Sequence, residues 1–130
     1  MKQMLVLGSA FAVLALAACS SSTPPLTIGL GDNHSTQTIS AGQELQVTLP
    51  SNPTTGYSWN LTQNPDPQIL LAIGSHYNAP AQQIPGKGGT ETWSFRGTRA
   101  GTTSFTLVYL RPFAPTDNPS PPYTINVNVK

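Results

Sequence analysis

Tyr123-Thr124-Ile125-Asn126-Val127-Asn128-Val129 carries apolar side chains at every second position with polar ones between them. That period of two marks a half-buried strand, whose successive side chains point to opposite faces. Leu45, Val47 and Leu49, separated by Gln46 and Thr48, repeat the pattern upstream. Further strands are expected at 57–62, 69–77, 90–96 and 102–110, with shorter ones at 26–30 and 36–39. Past the N-terminal segment no stretch carries a convincing helical period. Proline is abundant, 13 in the chain, but it falls in connections and a tether, where it argues for rigid turns over disorder. Seven to eight short strands punctuated by Gly and Pro predict an all-β, antiparallel β-sandwich.

The N-terminus is built differently. Lys2 supplies a short positive segment, residues 4–15 are apolar but too few for a comfortable membrane span, and Leu16-Ala17-Ala18-Cys19 closes with small residues. This resembles a bacterial lipoprotein signal, which implies removal of residues 1–18 and acylation of Cys19, palmitate being the expected kind of chain. Each buried CH₂ adds about 0.8 kcal/mol and stable anchoring needs more than one chain, a requirement a multiply acylated cysteine meets. Cys19 is the single cysteine, so neither an internal disulfide nor a cysteine-based metal site is expected. Residues 19–25 read as the lipidated cysteine and a flexible tether. Ser20 resembles the sorting context of outer-membrane lipoproteins, so the expected location is the cell envelope, periplasmic or surface-facing.

Residues 26–130 then form one domain, long enough to bury roughly 60–70% of its unfolded surface. Without Lys2, five Lys/Arg balance five Asp/Glu. With no basic or acidic run, nucleic acid is not an expected partner.

Asn52-Pro53-Thr54-Thr55-Gly56-Tyr57-Ser58-Trp59 joins two of the strands through a stiff loop. Pro53 fixes its own φ and pushes Asn52 toward extended geometry; Thr54 and Thr55 are stiff at χ1; Gly56 permits a left-handed turn. Little entropy remains to be lost on binding. If the strands run alternately up and down, connections at 79–89 and 111–122 emerge at the same end. The first of these holds Pro85-Gly86-Lys87-Gly88-Gly89, whose glycines leave the backbone open to another chain. The other begins Arg111-Pro112-Phe113, an aromatic fixed by a proline beside a guanidinium, and both residue types are common interface hot spots. Trp59 and Trp93 are expected in the core.

Catalysis is not expected. His34 and His76 are the only histidines, and HExxH, nucleophile-elbow, P-loop and paired metal spacings are all absent. His34 reads as a solvated turn residue and His76 as a surface or hydrogen-bonded strand residue. No metal or other cofactor is implied.

In order and spacing, the run at 52–59, Gly-x-Gly-Gly at 86–89 and Arg-Pro-aromatic at 111–113 resemble the chagasin family of cysteine-peptidase inhibitors. That family's pattern is N-P-T-T-G-Y-x-W, then G-x-G-G, then R-P-W. The likeness covers about residue 26 to the C-terminus. It implies an immunoglobulin-like sandwich whose three loops plug the active sites of papain-like cysteine peptidases, reversibly and competitively. The implied contacts are Asn52, Pro53, Thr54, Thr55, Gly56 and Tyr57, with Thr54, Thr55 and Gly56 over the nucleophile. Gly86, Lys87, Gly88 and Gly89 would line the non-primed edge, and Arg111, Pro112 and Phe113 the opposite wall. Phe113 departs from the family's tryptophan, giving up an indole donor and some contact area.

The chemistry agrees with that implication. A papain-like enzyme keeps a thiolate beside a histidine at the floor of a cleft, and an inhibitor must fill the cleft without offering a well-placed scissile carbonyl. Three preorganised loops could bury a standard interface of roughly 1,600 Å² with no covalent bond. The domain is expected to act as a monomer. A rival reading is an envelope lipoprotein whose same end binds a glycan or protein partner, with Phe113, Tyr77 and Tyr123 as stacking aromatics. A third, favoured by the Phe113 departure, is an envelope assembly lipoprotein that has kept the scaffold and lost inhibition.

Overall fold

The computed structural model describes residues 23–130; the expected signal segment and Cys19 lie outside the described residues. Eight strands follow one another: β1 (Leu26–Ile28), β2 (Thr36–Ile39), β3 (Glu44–Ser51), β4 (Ser58–Gln63), β5 (Leu70–Asn78), β6 (Gly89–Gly97), β7 (Gly101–Leu110) and β8 (Tyr123–Val129). They form two four-stranded sheets of order β1-β3-β6-β5 and β2-β8-β7-β4. Every strand expected from the period-two pattern is present, with modest shifts at the ends. β1 stops at Ile28 because Gly29 opens a 3₁₀ turn over Leu30–Asp32, tied by Gly29 N–H donating to Asp32 Oδ2 at 2.9 Å.

The alternation places one face of each strand inside. Leu45, Val47 and Leu49 sit opposite Phe95, Trp93 and Glu91 across the β3–β6 pair. Phe105 and Leu107 sit opposite Ile125 and Tyr123 across β7–β8. Phe95 and Phe105 stack at a centroid distance of 4.1 Å, joining the sheets through the middle of the core. Trp59 is buried and Trp93 packs half-buried against the same cluster, both on the core side as expected.

Not every neighbour is antiparallel. β1 pairs with β3 and β2 with β8 in parallel, while the other pairs are antiparallel. The cause is chain path. β2 lies in the opposite sheet, so the chain reverses twice between β1 and β3 and returns in its original direction. Side-chain alternation records which face is buried and carries nothing about the direction of the neighbour.

Pro50, expected in the loop, lies inside β3 opposite Thr90. The parallel pairing with β1 stops at Val47, so Pro50 has no strand on that side and its missing donor is tolerated. Its carbonyl accepts the Trp59 indole N–H at 2.9 Å.

Candidate functional site

Because each strand reverses the one before it, the connections after β1, β3, β5 and β7 open at one end of the sandwich. Three of these are the loops singled out by their composition. The fourth, residues 29–35, follows the three-residue β1. It brings the exposed Leu30 to a cavity of about 380 Å³ shared with Asn52, Gly88 and Ser120.

The first loop is stiffer than its prolines and threonines alone would make it. Pro53–Thr55 forms a 3₁₀ turn, and Gly56 closes it in the left-handed region at φ 82° and ψ −3°. Asn52 organises the turn. Its N–H donates to the Tyr109 hydroxyl at 2.9 Å, and its carbonyl accepts both the Thr55 N–H at 3.1 Å and the Thr55 hydroxyl at 2.6 Å. Its side-chain Oδ1 accepts the Thr54 hydroxyl at 2.6 Å, while Nδ2 donates to the Gly86 carbonyl at 3.1 Å. One residue therefore sets the turn and ties it to the second loop.

Two of the three glycines in that second loop have an internal reason. A Cβ on Gly88 would stand 2.8 Å from the Ser51 carbonyl oxygen, and one on Gly89 would strike the Asn78 carbonyl. They let β5 and β6 close against the first loop. Gly86, at φ +82° with open space around its would-be Cβ, instead makes the bend at the tip beside exposed Lys87.

The third loop is fastened to the first by Arg111. Its Nε donates to the Thr55 carbonyl at 3.0 Å, and its guanidinium lies 4.3 Å from the centroid of the Tyr57 ring. Asp117, 3.7 Å from Arg111 Nη1, also accepts the Tyr57 hydroxyl at 2.5 Å. That hydrogen bond pushes the Tyr57 phenol above its ordinary pKa. Tyr57 in turn stacks on Tyr109, which packs on Trp59, so the loops rest on a column of rings rising from the core. Phe113 does not cap that core: it is 76% exposed, with its ring edge over Gly56.

Beneath the first loop lies a buried carboxylate that the sequence reading passed over. Glu91 Oε2 accepts the Trp59 backbone N–H at 3.1 Å and the Ser51 hydroxyl at 3.4 Å; Oε1 accepts the Trp93 indole N–H at 3.1 Å. It thus holds residues on both sides of the loop. The available signal was parity, since Glu91 shares a strand face with Trp93 and Phe95 and must point inward.

Of the other candidates, His76 and Tyr77 line a cavity with Pro53 and Tyr57 of the first loop. Tyr123, considered as a stacking aromatic, is fully buried, and its hydroxyl donates to the Gly29 carbonyl at 2.7 Å. Burial raises its phenol pKa far above the usual value. It faces inward because it occupies a core position of β8, the face set by Ile125 and Val127. Tyr77 remains exposed. His34 is exposed in a turn with φ 65°, and His76 is exposed on β5. Among the described residues, no group of three or more His, Cys, Asp or Glu side chains is placed to hold a metal ion, and no helix is long and apolar enough to cross a membrane.

A sequence model of the Chagasin family peptidase inhibitor I42 matches residues 38–129, a span that includes all three motif-bearing loops. The chain belongs to the chagasin family. It is 31% identical over 96 residues to chagasin of Trypanosoma cruzi, covering 72% of this chain and 87% of chagasin. It is 35% identical over 99 residues to amoebiasin-1 of Entamoeba histolytica, covering 76% and 94% of the two chains. The solution structure of amebosin superposes with a TM-score of 0.69 at 34% identity, covering 83% of this chain and all of amebosin. The immunoglobulin-like sandwich is thus the chagasin family's fold, and the family is one of peptidase inhibitors, which are not enzymes.

Proposed function

We propose that this protein is a reversible, competitive inhibitor of papain-like cysteine peptidases that works as a monomer. The observation that carries the reading is the mutual fastening of the three motif-bearing loops at one end, through Asn52 to Gly86 and Arg111 to Thr55. Such a surface is ordered before it meets a partner, which lowers the entropic cost of binding. Thr54, Thr55 and Gly56 would project over the enzyme's thiolate. Gly86, Lys87, Gly88 and Gly89 would follow the non-primed edge of the cleft, and Arg111, Pro112 and Phe113 the opposite wall. Membership of the chagasin family supports this assignment. The test is a titration of the protein from residue 19 onward, with Cys19 replaced, against papain or a cathepsin L-like enzyme. Competitive inhibition is expected, and none at micromolar concentration would overturn the reading.

Phe113 offers a graded check on the third loop. Its high exposure leaves it free to meet a partner. Phe113→Trp is expected to tighten inhibition by ~0.5–1.5 kcal/mol, the scale of an added aromatic contact. An unchanged inhibition constant would place Phe113 outside the interface.

The anchoring of the domain is a separate proposal. Cys19 would carry the acyl chains and residues 20–25 would lift the inhibitor off the envelope membrane, in the outer membrane of a two-membrane cell. Cys19→Ala is expected to move the protein from the membrane pellet to the soluble fraction and to strip the acyl mass from its N-terminal peptide. Continued pelleting with an unmodified peptide mass would exclude the lipid anchor.

A further inference from the structure

We propose that the anchored protein inhibits peptidases without leaving its membrane. Its tether joins the sandwich at the end opposite the three loops, so the loops face peptidases free in the aqueous phase. This inference rests on the proposed inhibition and on the proposed acylation of Cys19; the fold adds polarity to them. The loops follow β3, β5 and β7 at one end, where β1 also finishes, so β1 begins and β8 finishes at the far end. Contacts at the far end agree. The Gln43 side-chain amide donates to the Pro24 carbonyl at 2.9 Å, which pins the last residues of the tether beside the turn at 40–43. In the same turn Ala41 N–H donates to the Lys130 carbonyl at 3.0 Å, and Gly42 N–H to the Gly97 carbonyl at 2.7 Å. The entry of the chain, the β2–β3 turn, the end of β6 and Lys130 therefore share one end.

Lengths decide how far the domain can turn. Pro24 follows Cys19 by five residues, which span at most ~18 Å fully extended. β3 runs the height of the sandwich, from Glu44 beside Gln43 to Ser51 at the first loop. Its eight residues rise roughly 26 Å, at about 3.3 Å each. Upending the domain, with its loops against the headgroups, would lift Pro24 to that height or more. A tether whose other end is held at the membrane surface does not reach so far. The domain can tilt and spin, yet it cannot press its loops onto its own membrane. The same restraint keeps the exposed Leu30 and Phe113 from the bilayer interface, which would otherwise compete with a peptidase for such apolar side chains.

The test compares anchors at the two ends. Mature acylated protein on phosphatidylcholine vesicles is expected to inhibit papain with a constant within about threefold of the soluble Cys19→Ser protein, since the membrane shields only the end away from the loops. In the Cys19→Ser background, Ala100→Cys places a thiol in the exposed turn at 98–100 of the far end, and Asn118→Cys places one in the exposed third loop. Each is coupled to a maleimide phospholipid. On vesicles the Ala100 conjugate should inhibit like the soluble protein. The Asn118 conjugate should inhibit at least ~100-fold more weakly, because anchoring and docking then exclude each other. Before coupling, both variants should match the soluble protein, which separates the effect of the anchor from that of the substitution. An acylated protein that inhibits only after detergent releases it, or an Asn118 conjugate as potent as the Ala100 conjugate, would overturn the inference. A soluble protein without inhibition would instead remove the proposed function. A mature protein that carries no acyl mass and does not float with vesicles would remove the anchor, and this inference would fall with either.

Discussion

Thr55→Trp is expected to weaken inhibition of papain at least ~100-fold while leaving the melting temperature within a few degrees of wild type. Thr55 is exposed at the end of the turn formed by Pro53–Thr55, where the loop narrows to its tip. The turn does not depend on a small side chain. Its shape is held by the bonds from Thr55 and Gly56 N–H groups to the Asn52 and Pro53 carbonyls, by the left-handed Gly56 and by Arg111 on the Thr55 carbonyl. Only the Thr55 hydroxyl bond to the Asn52 carbonyl is lost, an exposed interaction worth about 1 kcal/mol at most. In the proposed complex the indole, by contrast, must enter a cleft whose floor carries the catalytic thiolate. A hundredfold loss corresponds to ~2.7 kcal/mol, within the range that overpacking a tight contact costs. Inhibition constants and thermal melts on the same preparation check the prediction, and an unchanged constant would take the first loop out of the cleft.

Glu91→Ala is expected to destabilise the domain by about 3 kcal/mol, lowering its melting temperature by roughly 10–20 °C. The carboxylate is buried, and three donors converge on it: Trp59 N–H, the Ser51 hydroxyl and the Trp93 indole N–H. Removing it strands those groups without acceptors, and a buried donor left unpaired costs ~1–3 kcal/mol. Ser51 and Trp59 bracket the first loop, so inhibition should fall along with stability. Glu91→Gln keeps the volume and part of the accepting capacity and is expected to lose less. A melting temperature within about 3 °C of wild type for Glu91→Ala would show that the donors find other partners.

The candidate site was legible in outline because its residue types are rare in ordinary strands. Asn52-Pro53-Thr54-Thr55-Gly56 announces a turn through proline φ and a left-handed glycine, and Gly56 takes that conformation at φ 82°. Parity alone put residues 79–89 and 111–122 beside it. What parity does not reach is the bonding between the loops. Asn52 to Gly86 spans 34 positions, Arg111 to Thr55 spans 56, and Tyr57 to Asp117 spans 60. Asp117 and Glu91 look, in the sequence, like two of five unremarkable acids.

The sequence by itself determined the all-β class, the buried faces, the positions of the strands and the three loops that end together, because period-two alternation and turn chemistry are local properties. Tertiary structure alone decided the parallel neighbours β1–β3 and β2–β8, the convergence of three donors on Glu91 beneath the first loop and the inter-loop bonds. It also decided that Phe113 is left in solvent. Those outcomes depend on which sheet each strand joins and on which side chains meet across it, and that is settled only when the chain has folded back on itself.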